Sequence, residues 1–284
     1  MDNMYELSIL LLVLLLLAAV FFVLHQRLKR KARRHIQSNI QQLALLRGLI
    51  AGFQRHRGLS NALLCGDTSM VKELESTRQT LDQKISAAQS QQTTFRDAWN
   101  SLIDHWSRLR EGHKNDPANN LKQHNLIIRH CIFLMEDVAG EIDLTQGQTE
   151  LEYLSCIWHE VIQAAEWAGQ ARAMGTGIAA AGHSSAEQRV RMQFLYQKIE
   201  GLSGKAFATL QQHTTNNPQA TAFRLQHSEQ VVTNFLCCIK QELLGLESPK
   251  IAAKAYFQQA TQSIDELLGL VDVALEHLQS RQQR

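Results

Sequence analysis

A chain of 284 residues, 44% of them hydrophobic, can bury a sizeable core, and three prolines with 6% aromatics suit long helices and argue against β-sheet. The formal net charge of +2 is near balance, with much of the positive charge in one run near the N-terminus, so the main body carries no footprint for nucleic acid. Cys65, Cys131, Cys156, Cys237 and Cys238 are odd in number and form no C-x-x-C pair, which points away from a disulfide framework and toward reduced thiols in a cytosolic body.

After a short tail, 1–6, the run Leu7 to Leu24 contains Ser8 as its one polar residue and just exceeds the ~17 residues that span a bilayer as a helix. Its acidic start and basic end argue for an uncleaved anchor over a signal peptide. Arg27, Lys29, Arg30, Lys31, Arg33 and Arg34 follow the segment, whereas Asp2 and Glu6 precede it. The positive-inside rule then predicts a single-pass bacterial inner-membrane protein with its N-terminus out and its body cytoplasmic. The same basic residues, in a juxtamembrane linker at 25–42, would face anionic lipid head groups, and no proline separates them from the body at 43–284. One helix is therefore expected to run from the bilayer into the body.

The body opens with LALLRGLIAGFQRHRGLSNALLCG, Leu43 to Gly66. Leu43, Leu46, Ile50 and Phe53 recur at spacings of three and four and share one face, which Arg57 then interrupts before Ser60 and Leu64 continue it. A guanidinium inside an apolar stripe requires an anion, either a carboxylate of a neighbouring helix or a bound ligand.

From Met70 to about Glu111 the chain reads as one long, Gln-rich polar helix with Leu74, Leu81, Ile85, Trp99, Leu102, Ile103 and Trp106 as its apolar points. Asp116-Pro117, Asn217-Pro218 and Ser248-Pro249 each place a proline after a capping side chain, and Ser184-Ser185-Ala186-Glu187 reads as a capping box. These signals predict helices near 117–143, 147–181, 185–214, 218–246 and 249–279, hence seven in the body and no strands. In the second of these, Leu151, Leu154, Trp158, Val161, Ala165 and Ala168 form a seam whose next member is Arg172, followed by Gly175 and Ala179. Two helices thus each place a guanidinium among residues small enough to admit another backbone. The two arginines could face one site, where carboxylates such as Glu136, Glu160 or Glu166 pair with them or a small planar anion bridges them.

The segments RHRGLSNALL, EWAGQARAMG and KAYFQQATQSIDELLGLVDVAL, in this order and spacing, resemble the nitrate- and nitrite-sensing (NIT) domain family over most of Leu43 to Leu278. The resemblance implies an all-helical fold of two four-helix bundles, with nitrate or nitrite held between them by arginines. Carried over residue by residue, the ligand-binding candidates are Arg57 and Arg172. Arg55 is a third, although about 200° around an ideal helix from Arg57, and Arg224, early in the 218–246 helix, is a fourth. His56 stands where the family motif commonly has an acidic residue, so an internal ion-pair partner is missing or replaced. Family members usually carry an output module. This sequence stops soon after the domain, so signalling through a separate protein partner is expected, and a homodimer is one assembly it admits.

Twelve histidines contain no H-x-x-x-H spacing, and no G-x-S-x-G, P-loop or paired-acid motif is present, so neither a metal or other cofactor nor an enzyme is expected. The sequence therefore reads as a membrane-anchored, cytoplasmic, all-helical sensor of a small oxyanion. A helical adaptor at the inner membrane, with both arginines paired to carboxylates, is the alternative.

Overall fold

The fold follows from helices whose apolar stripes are interrupted at few points. A computed structural model describes residues 2–89, 94–111, 116–146, 152–213 and 218–283, and the described residues are helical throughout with short connections and no strand. The first helix, α1 (Asp2–Leu64), is a single rod of 63 residues, roughly 95 Å long at 1.5 Å per residue. Its apolar stretch from Leu10 to Leu24 is exposed on all sides, and it is long and apolar enough to cross a membrane. Burial begins at Ile36 and Asn39, one turn after the basic run, and continues through Ile40, Leu43, Leu46, Leu49, Ile50 and Phe53.

The inner part of α1 packs with α2 (Val71–Gln89), α3 (Arg96–Glu111) and α4 (Pro117–Gln146) as one four-helix bundle. The other bundle begins with α5 (Glu152–Cys156), which runs through a π-helical turn (Ile157–Val161) into α6 (Ile162–Ala181). That rod packs with α7 (Ala186–His213), α8 (Pro218–Cys238) with its π-helical extension (Ile239–Leu244), and α9 (Ala253–Gln283). The bundles meet where α1 and α4 lie against α6, α9 and the π turn, and one contiguous apolar core runs through both. The expected two-bundle, all-α architecture is what the structure shows.

The expected helix from Met70 to Glu111 is instead two, α2 and α3. α2 buries Leu81, Ile85 and Ala88 at its end, and the chain regains the core with the partly buried Phe95 and with Trp99 at the start of α3. α3 packs instead against α2 and α4, with Trp106 Nε1 donating to Asp82 Oδ1 at 2.9 Å and Arg110 pairing with the same carboxylate. Among the described residues the body thus has one helix more than the sequence suggests. The capping box is shifted by one residue: Ser185 Oγ accepts from Gln188 N–H, and Gln188 Oε1 accepts from Ser185 N–H. The last helix starts at Ala253, not Pro249, because Glu242 holds the free N–H groups of Lys250 and Ile251 outside it. Asp116 caps α4 through Asn119 N–H as expected. Leu151 of the second seam and Asn217 of the middle proline pair lie outside the described residues.

Close approach of α6 and α9 depends on Gly175. A Cβ there would run into the ring of Tyr256, which is fully buried and donates its hydroxyl to Ala171 O at 3.0 Å. Gly182 ends α6 in the left-handed region at φ 69, a conformation that costs glycine little.

Candidate functional site

The seam of α1 delivers Arg57 into the interior. Leu43, Leu46, Ile50 and Phe53 are fully buried on its face, Ser60 is buried beyond it, and Arg57 itself is 1% exposed. Leu64, at the helix end, is exposed. Across the bundle interface lies Glu166 of α6, 5% exposed. Arg57 Nη1 donates to Glu166 Oε1 at 2.5 Å and to Asn125 Oδ1 of α4 at 2.6 Å, and Nη2 reaches Glu166 Oε2 at 3.3 Å. Two carboxamides complete the shell of the carboxylate: Gln54 Nε2 donates to Oε2 and Gln170 Nε2 to Oε1, each at 3.0 Å. Of the three acids expected near the arginines, Glu166 is the partner. Glu160 is taken by Lys205, and Glu136 accepts from Gln163.

The guanidinium fits because Gly169 has no side chain. A Cβ on Gly169 would lie 2.6 Å from Arg57 Nη2, so this glycine opens the path over α6. Gly58, beside Arg57 in the sequence, faces open space.

Arg172 lies three residues beyond Gly169 on α6 and is partly buried. Its Nη1 donates to Thr261 Oγ1 of α9 at 3.0 Å and its guanidinium lies 5.0 Å from the centre of the Phe257 ring. Among the described residues no carboxylate forms an ion pair with it. Burial first, and the Arg57 charge second, push its pKa down to about 10, against the pull of Asp265 and Glu166. Asp265 is itself raised by burial, with Arg172 and Arg47 holding it down. A second bridge between the bundles joins Arg47 of α1 to Asp272 of α9 at 2.6 Å.

The structure brings Arg57 and Arg172 into one electrostatic neighbourhood and leaves the other two candidates apart. Arg55 is on the outer surface of α1, donating through Nε and Nη2 to Glu73 of α2. Arg224 is exposed on α8, its Nη2 near Gly269 of α9. Sequence reasoning missed Gln54, Asn125, Gly169 and Arg191. Arg191 of α7 donates to Gln170 Oε1 at 2.9 Å and lies over the rings of Phe194 and Trp167. Gln54 could have been found, since it lies three residues before Arg57 on the same helix face.

The residue before Arg57 solves its own burial problem. His56 is 1% exposed and His124 of α4 fully buried, with His56 Nδ1 2.7 Å from His124 Nε2. Arg78 Nε–H donates to His56 Nε2, so the His56 proton is on Nδ1, and His124 Nδ1–H donates to Asn120 O. Both rings are neutral. Burial, aided by the other ring and by Arg78, lowers His56 to about 2; burial and Arg57 lower His124 to about 4, against the carbonyl of Asn120. At the position where the family motif commonly has an acidic residue, this chain has one member of a buried histidine pair.

A sequence model described as nitrate and nitrite sensing matches residues 48–279. A solved structure, "Structure of the NasR transcription antiterminator", shares the fold, with TM-score 0.66 at 20% identity over 94% of this chain and 74% of that one. A search of curated proteins finds no match. With most of the body covered by one family's pattern, this chain belongs to the nitrate and nitrite sensing family.

Proposed function

We propose that the protein is a membrane-anchored sensor that binds nitrate or nitrite at the interface of its two bundles, with Arg57 and Arg172 as the anion-holding groups. The observation that carries this reading is Arg172: a partly buried guanidinium with a hydroxyl and an aromatic ring as neighbours, no ion-pair partner among the described residues, and a second cation close by. An anion between the two guanidiniums would relieve their repulsion, and their planar donor forks suit a planar oxyanion better than a sphere. Family membership supports the ligand class. Arg55 and Arg224 have no part in this site. Because the two arginines belong to different bundles, a bound anion favours the packing that brings them together, and α1 carries the shift toward the membrane. The readout is a changed surface met by a separate signalling protein.

One observation favours the adaptor reading: Arg57 already has a well-made carboxylate partner in Glu166. The two readings separate in a melting experiment on the full chain in detergent. If the sensor reading holds, nitrate or nitrite raises the melting temperature above that in equal chloride, since ligand at 100 times its Kd adds about 2.7 kcal/mol. Identical melting in nitrate and chloride would support the adaptor.

A further inference from the structure

Glu166 occupies the position that the proposed ligand needs. Its carboxylate has two oxygens on one planar carbon, as nitrate and nitrite have oxygens on one planar nitrogen. Each oxygen accepts one arm of the Arg57 fork and one carboxamide, from Gln170 on Oε1 and Gln54 on Oε2. A four-donor cradle complementary to a planar oxyanion is therefore already filled from within. The donor Gln170 has a second connection, accepting from Arg191 of α7 through Oε1. Arg191 is partly exposed, rests on Phe194 and Trp167, and among the described residues forms no ion pair. One carboxamide thus links the buried carboxylate to a guanidinium that lacks a carboxylate of its own.

We propose that Glu166 is an internal competitor that sets the affinity and selectivity of the site. Without ligand it holds the Arg57 fork; when an oxyanion takes its place, the displaced carboxylate turns to Arg191. This inference rests on the sensor reading above. The exchange keeps both charges paired at each end, avoiding the severe penalty of a buried carboxylate with no partner. It also predicts selectivity against chloride, because a monatomic anion cannot engage both arms of the fork and so cannot outbid a bidentate carboxylate. Glu166 is a specificity-determining residue, and Arg191 is a positioning residue that acts through Glu166 and, to a smaller extent, by orienting Gln170.

The test is isothermal titration of the full chain in detergent micelles with sodium nitrate and sodium chloride. Glu166→Gln keeps the shape and removes the competitor's charge, so nitrate affinity is expected to rise at least tenfold and chloride binding to become measurable. Arg191→Gln is expected to weaken nitrate at least threefold in the wild-type background and by a clearly smaller factor in the Glu166→Gln background, where only its hold on Gln170 remains. Should Glu166→Gln fail to fold, Glu166→Asp, which withdraws the carboxylate by one methylene, is expected to shift both anions in the same direction by a smaller factor. Unchanged or weaker nitrate binding in the folded Glu166 variant, while the wild type binds nitrate, overturns the competitor role and leaves the sensor reading standing. An Arg191→Gln effect that is undiminished without the Glu166 charge overturns the exchange. Absence of nitrate binding in both wild type and variant overturns the competitor together with the sensor reading.

Discussion

At the scale of single residues, the interior of the first bundle holds two histidines whose protonation is set first by burial and then by their neighbours. His56 and His124 are lowered in the folded state from an ordinary value near 6.5 to about 2 and about 4. Between those values and 6.5 the unfolded chain binds more protons than the folded one. Stability is therefore full above pH 6.5 and is lost as the pH falls, by up to about 1.4 kcal/mol per pH unit for each ring. Urea midpoints measured from pH 7.5 to 5 should hold down to about pH 6.5 and then fall in the wild type, and fall less steeply in His124→Gln, which has one ring fewer to protonate. Parallel curves would assign the acid sensitivity elsewhere. At Arg57 the expectation is larger: Arg57→Ala combined with Arg191→Gln leaves Glu166 buried with neither cation and should cost about 3–5 kcal/mol in urea unfolding. A loss below 1 kcal/mol would show that Glu166 finds another partner.

At the scale of elements, the rod formed by α5, the π turn and α6 carries most of the second bundle's share of the site, and its glycines decide how close other groups come. Gly175→Ala adds helix propensity worth about 1 kcal/mol. It also drives a methyl into Tyr256, whose buried ring is pinned by its bond to Ala171 O, and such overpacking costs roughly 1–3 kcal/mol. Net destabilisation is expected in urea, with relief when Tyr256→Leu is combined with it. A more stable Gly175→Ala protein would mean that α6 and α9 can separate freely.

The elements also show why some features were legible and others were not. Arg57 was readable because a charge that interrupts a three-and-four spacing must be buried with its face, whatever the fold. Glu166 was narrowed to three acids and no further, since helical periodicity says which side chains point inward but not which helices meet. Asn125 and Arg191 left no trace for the same reason: each matters only through a neighbour far away in sequence. The break between α2 and α3 was invisible because apolar points recur on both sides of it, and the turn is imposed by closing a four-helix bundle. The capping box was read one residue too early, at Ser184 and Glu187, whereas the backbone forms it at Ser185 and Gln188.

At the scale of the whole molecule, α1 joins an exposed apolar stretch to the buried Arg57 without interruption, which is the continuity that the proposed transmission toward the membrane requires. The orientation proposed for it, N-terminus out and body in the cytoplasm, rests on basic residues confined to the C-terminal flank of that stretch. A C-terminal green-fluorescent fusion should be bright and the matching alkaline-phosphatase fusion inactive; the reverse pattern would place the site outside the cytoplasm.

The central claim, one anion held by a guanidinium from each bundle, is tested most directly by titrating nitrate into the full chain, wild type and Arg172→Lys, and measuring heat. Lysine keeps the charge but not the planar fork, so the account predicts nitrate binding in the wild type and at least a tenfold loss, about 1.4 kcal/mol, in Arg172→Lys. Binding of equal strength in the two proteins would contradict it.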